Sequence, residues 1–192
     1  MKNLIKLASA VAVAFTLTQT VQAIPIVGNI GFTGGVTFNT NSAAYATQVT
    51  SWVTPVVTLD DGAFAGIASF SPAAFTSSIW NFNTSTAINS FWSVGGFTFK
   101  LLSSSIQSQG GVAGSTGFVV VNGIGTVTST NPAYSATQIS WSFTSQDPKV
   151  TSNPDAWTFS ASANSVPDGG STVMLLGLAL SGAALIKRRL IS

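Results

Sequence analysis

Between Ile24 and Ser165 the apolar positions recur every second residue. Ile139, Trp141 and Phe143 alternate with Ser140, Ser142 and Thr144. Trp157, Phe159 and Ala161 alternate with Thr158, Ser160 and Ser162. Phe97, Phe99 and Leu101 alternate with Thr98, Lys100 and Leu102, and Val36 and Phe38 with Thr37 and Asn39. A period of two places one face of a strand on a core and the other in water. No long segment of period 3.6 interrupts it. Phe118-Val119-Val120-Val121 is continuous and predicts a central strand covered on both faces. Gly34-Gly35, Asp60-Asp61-Gly62, Gly95-Gly96, Gly110-Gly111, Asn122-Gly123, Asn131-Pro132 and Asn153-Pro154 punctuate the pattern as turn signals. Asn122-Gly123, between two strand-like runs, predicts a hairpin. Roughly nine to eleven short strands with such turns predict an all-β body, an antiparallel β-sandwich or jelly roll.

The two ends break the alternation. Lys2 and Lys6 precede an apolar stretch from Leu7 to Leu17, and Val21-Gln22-Ala23 has the small residues of a signal-peptidase site. Residues 1–23 therefore predict a signal helix that is cut before Ile24. Its apolar part is too short to span a bilayer. At the other end, Val166-Pro167-Asp168-Gly169-Gly170-Ser171-Thr172 leads into Val173–Ile186, which is apolar apart from Ser181. Lys187, Arg188 and Arg189 follow directly. The apolar run gives about 21 Å of helix against a roughly 30 Å hydrocarbon core. Snorkelling of Lys187 and Arg188 and the Ser171-Thr172 edge extend it, so one transmembrane helix is expected over 172–186. The basic cluster stops the helix and keeps the C-terminus cytoplasmic. Gly177 and Ser181, four apart, form a weak small-xxx-small pattern. The chain thus divides into a signal peptide at 1–23, a body at 24–165 and a C-terminal region at 166–192.

A Pro-containing motif, one hydrophobic helix and a terminal Arg cluster together resemble the PEP-CTERM sorting signal of Gram-negative bacteria, in a Val-Pro-Asp-Gly-Gly-Ser-Thr variant. The resemblance covers about the last 27 residues. It implies that an exosortase, a membrane enzyme, recognises Val166 to Thr172 and removes the helix. It also implies export across the inner membrane, transient anchoring in membrane lipid, and association with the cell surface, biofilm and exopolysaccharide. The backbone chemistry agrees: Pro167 and Gly169-Gly170 disfavour helix and leave the segment open to an enzyme. Phe91–Ser93 with Val94–Lys100, and Ser140–Gln146, loosely resemble segments of other such proteins, with no activity attached.

Composition narrows the chemistry. The chain of 192 residues has no Cys and no His, and only 6% of its residues are charged. No disulfide can form, and neither thiolate nor imidazole is available for catalysis or metal binding. About 140 residues can still bury a working core. The net charge of +2 comes from the ends, because Lys2, Lys6, Lys187, Arg188 and Arg189 are five of the seven basic residues. From Ile24 to Ser165 only two Lys and four Asp remain, so the body carries 2 − 4 = −2. The basic balance therefore describes membrane orientation, and nucleic acid is not expected as a partner. The chain has 27 Ser and 23 Thr, which fill the outward positions where Lys and Glu usually sit. Such a surface is insensitive to salt and weakly protected from self-association. It also offers hydroxyls for glycan attachment, and Asn83-Thr84-Ser85 matches the N-glycosylation pattern.

Few groups remain for acid–base work. Asp147 and Asp155 could form a carboxylate pair, yet each adjoins a proline in turn-like sequence. Asp60-Asp61-Gly62 lacks the spacing of a calcium loop and reads as a turn. A Ser–Lys nucleophile on Lys100 or Lys149 has no local motif. Gly110-Gly111-Val112-Ala113-Gly114 lacks the Lys-Ser/Thr of a phosphate loop. No cofactor or metal is expected, and no catalytic residue. Trp141 and Trp157 fall on apolar faces. Trp80 and Trp92 bracket a polar segment and are the candidate glycan contacts of a lectin-like alternative. The sequence thus predicts an exported, non-enzymatic surface or matrix protein, served by a signal peptidase and an exosortase, with polysaccharide as a further candidate partner.

Overall fold

The computed structural model of the protein describes residues 23–148 and 157–165, with Leu176, Gly177 and Leu180. The signal segment before Ala23, Val166–Thr172, Lys187–Arg189, Asn153-Pro154, Lys149, Asp155 and the side chain of Trp157 lie outside the described residues. Among the described residues no helix is long and apolar enough to cross a membrane.

Among the described residues eleven strands form: β1 (Ile24–Pro25), β2 (Asn29–Phe38), β3 (Gln48–Asp60), β4 (Ala74–Phe75), β5 (Trp80–Asn81), β6 (Ile88–Val94), β7 (Phe97–Gly110), β8 (Phe118–Ser129), β9 (Tyr134–Ser135), β10 (Thr137–Gln146) and β11 (Trp157–Ser165). Nine of them make one antiparallel sheet in the order β4-β6-β7-β8-β10-β11-β2-β3-β5, and β1 pairs with β9 in parallel. The expected two-layer sandwich or jelly roll does not form. The sheet instead curls strongly into a half-barrel and packs on its own inner face. Register shifts supply the bend: three between β2 and β3, and two between β7 and β8. Extra residues on one strand of a pair increase its twist and curvature.

The alternation reads through into burial. Ile139, Trp141 and Phe143, with Phe97, Phe99 and Leu101, face inward. Their polar neighbours face out, and several spend their proton on the adjacent strand. Thr33 Oγ1 donates to the Phe159 carbonyl at 2.9 Å, and Ser140 Oγ to that of Asn164 at 3.2 Å. The interior is largely aromatic. Phe32 lies 5.1 Å from Trp92, Phe91 meets Trp141 edge-on at 5.3 Å, and Trp52 meets Phe159 edge-on at 5.1 Å. Edge-on pairs at these separations each add about 0.5–1.5 kcal/mol beyond area burial.

Two expected turns and one doubly covered strand are corrected. Asn122-Gly123 lies inside β8, and Gly34-Gly35 inside β2. Both Gly123 and Gly34 sit where neighbours approach closely. A Cβ on Gly123 would meet the Ser103 carbonyl oxygen at 2.7 Å, and one on Gly34 would meet the Phe159 ring at 3.0 Å. Phe118 and Val120 are half-buried while Val119 and Val121 are buried, so β8 covers one face only. The two-residue hairpin is at Gly95-Gly96, where φ is 56° and 83° and Val94 pairs with Phe97. Positive φ at both positions is what such a turn requires.

The open side of the half-barrel is crossed by residues 70–84. Phe70 N–H donates to the Val57 carbonyl at 2.8 Å, Val57 N–H to Ser71 at 3.0 Å, and Ala73 N–H to Pro55 at 2.9 Å. The next residues, β4, pair with β6. Farther along, β5 pairs with β3, and Thr84 bridges Ser104 of β7. Both sheet edges therefore end in two-residue strands. Short, covered edges oppose strand-to-strand aggregation, which the weakly charged surface alone would not.

Candidate functional site

The described body ends on β11, in the middle of the sheet. β11 is paired on both flanks to its end: Ser165 opposes Ile139 of β10, and Asn164 opposes Asn29 of β2. Ser165 N–H donates to the Gly28 carbonyl at 3.1 Å, and Gly28 N–H donates back to Ser165 Oγ at 3.1 Å. The small, polar residues Ser160–Ser165, which read as a strand end running into a short tether, stay in the strand through Ser165. Its side chains are small because large ones lie opposite. Ala163 faces Trp141 on one side and Ile30 on the other, and Ala161 faces Phe143 and Phe32.

The start of the body lies at the same end. Ile24 N–H donates to the Ala133 carbonyl at 2.9 Å, and Ile26 N–H to Thr137 Oγ1 at 2.8 Å. Gly28 then meets Ser165. Ile24 and Val27 are more than half exposed there. Asp61 closes the neighbouring turn, accepting from Asn29 N–H at 2.5 Å and from Asn29 Nδ2 at 2.7 Å. Asp60-Asp61-Gly62 is therefore a turn braced against Val27 and Gly28. Among the described residues no group of three or more acidic side chains is placed to hold a metal ion.

At the opposite end Asp147 is buried and ties three segments together. Its Oδ1 accepts from Ala43 N–H at 2.6 Å, and its Oδ2 from Ser42 Oγ at 2.6 Å and Gly114 N–H at 2.7 Å. Its own N–H donates to Gly117 at 2.7 Å. A carboxylate engaged in this way braces the loops after β2 and β7. Gly110–Gly114 is part of that braced loop. This role was not legible in sequence, because Ser42 and Ala43 lie 105 and 104 residues away.

The remaining candidates separate. Trp80 and Trp92 are fully buried, so neither offers a ring face to a sugar; the glycan contacts assigned to them are corrected. Trp80 Nε1 donates to Ser104 Oγ at 3.1 Å, and Trp92 stacks on Phe99 at 5.4 Å. Their polar surroundings in sequence belong to the outer face of the same segment. Asn83 Oδ1 accepts from Ile106 N–H at 2.9 Å, which engages the amide of the glycosylation pattern in the fold. Lys100 is exposed on the outer face, opposite Thr126.

What the body presents, then, is an exit point and a braced scaffold, and the chemistry-bearing segment starts at Ser165. Residues 165–190 match the family model of the VPDSG-CTERM motif. The chain carries a VPDSG-CTERM sorting signal. It is an exosortase sorting signal of the PEP-CTERM kind, and it implies an exported, surface-sorted protein processed by an exosortase-type enzyme. Here Gly169 stands at the fourth position of the Val-Pro-Asp-Ser-Gly core. No curated protein and no solved structure matches the chain.

Proposed function

We propose that this protein is a non-enzymatic component of the cell surface or extracellular matrix. An exosortase-type enzyme cuts it within Val166–Thr172 and releases the half-barrel from its C-terminal anchor. The VPDSG-CTERM motif carries this reading. The described body supports it: the buried carboxylate of Asp147 braces loops, Trp52, Trp80, Trp92 and Trp141 pack in or against the core, and the outer face is hydroxyl-rich. Its PEP-CTERM-like sorting signal supports an association with exopolysaccharide or biofilm. A lectin function has no support from Trp80 and Trp92.

Cell fractionation tests the reading. In cells that contain the processing enzyme, the body is expected at the surface or in the medium, free of the anchor. In cells lacking it, the full-length precursor is expected to stay with the inner membrane. Equal release from both would reject exosortase sorting.

A further inference from the structure

The sorting motif begins where a doubly paired strand ends. Only seven residues, Val166–Thr172, separate Ser165 from the apolar run at Val173. Seven residues reach at most about 25 Å when fully extended. A small folded domain is about 30 Å across. An enzyme that closes on this segment beside the membrane therefore meets the end of the half-barrel, unless β11 is first pulled out of the sheet. Peeling β11 breaks its pairing to both β10 and β2 and exposes the Ala161–Ala163 side of the core.

The surface met there has a definite chemistry. Ile24 is 56% and Val27 57% exposed, on backbone held rigidly by Ala133 and Ala63. Ala63 N–H donates to the Val27 carbonyl at 2.7 Å. Beside them lie Asn29 and Asp61, already bonded to each other. Two aspartates, Asp60 and Asp61, mark this end, no basic side chain of the described residues accompanies them within the turn, and the α-ammonium left on Ile24 by signal-peptide removal offsets only one of the two charges. An anionic lipid surface is a poor match for that pair. A protein partner with a small apolar contact beside polar groups fits better.

We propose that the end of the half-barrel bearing Ile24, Val27 and Ser165 is a docking face for the exosortase-type processing enzyme. The folded body is then part of the substrate, and the motif lies within about 25 Å of it. This rests on the sorting reading above and adds a partner surface to it.

The test measures processing of the full chain in cells containing the enzyme, by the ratio of cleaved to uncleaved protein over time. Val27→Asp at native spacing is expected to slow cleavage about tenfold, as for a central contact residue. Its side chain is exposed, so the body keeps its fold, which protease resistance of the half-barrel verifies. A second variant inserts a twelve-residue Gly/Ser spacer between Ser165 and Val166. With the spacer, Val27→Asp and the parent sequence are expected to be cleaved at equal rates. Unchanged cleavage of Val27→Asp at native spacing would overturn the docking face. So would normal cleavage of Val27→Arg alongside slow cleavage of Val27→Asp, which points to an anionic lipid surface. Absence of cleavage in the unaltered chain would reject the sorting reading itself, a separate outcome.

Discussion

Asp147→Ala is expected to destabilise the body by about 4 kcal/mol, from the loss of three hydrogen bonds to a buried carboxylate. The substitution leaves the buried Ala43 N–H and Ser42 hydroxyl, and the more exposed Gly114 N–H, without their acceptor. Gly117 packs so tightly on the carboxylate that even a Cβ there would overlap it. For a body of this size the midpoint of thermal unfolding falls by roughly 15 °C. Asp147→Asn keeps the shape but turns an amide toward a donor, and is expected to cost about half as much. A thermal melt of the mature protein followed by near-ultraviolet circular dichroism checks both. A shift of under about 3 °C for Asp147→Ala would show that the loops do not depend on this carboxylate.

Trp141→Ala is expected to cost about 4 kcal/mol through the cavity it opens. Trp141 sits in the middle of β10, 1% exposed, with Phe91, Phe32, Phe75 and Phe99 around it. The rings are held by a curled sheet on one side and by residues 70–84 on the other, and neither can collapse freely into the gap. Its Nε1 is buried with no hydrogen-bond partner, as are those of Trp52 and Trp92. Trp141→Phe therefore loses volume but no hydrogen bond, and is expected to cost about 1.5 kcal/mol. Urea unfolding separates the two. Equal midpoints for the Ala and Phe variants would contradict an interior set by ring packing.

The strands were legible because burial on one face writes itself into sequence as alternation. Val36, Phe97, Ile139 and Phe143 could be placed inward from their neighbours alone. The curvature was not legible, because register shifts such as that between Leu101 and Ser103 depend on the partner strand. Glycine misled for a related reason. In Gly95-Gly96 it serves a turn, whereas in Gly123 and Gly125 it makes room. A Cβ on Gly125 would overlap the Phe99 ring and the Lys100 carbonyl. The dipeptide Asn122-Gly123 carries no mark of which case applies. The small residues near Ser165 do not show from sequence that the strand runs to its end, because Ala161 and Ala163 are small to fit Phe32 and Trp141 on the partner strands. Asp147 was visible as a rare charge, but its partners were remote in sequence. The sorting region needed no tertiary information, since its signal is a linear order of turn, apolar run and basic cluster. That order was legible in full.

The central claim is that the half-barrel is an exported body freed from both of its terminal segments. Intact-mass spectrometry of the protein recovered from the cell surface or medium tests it most directly. The expected species begins at Ile24 and ends within Val166–Thr172. A released species that still carries Lys187, Arg188 and Arg189 would contradict it.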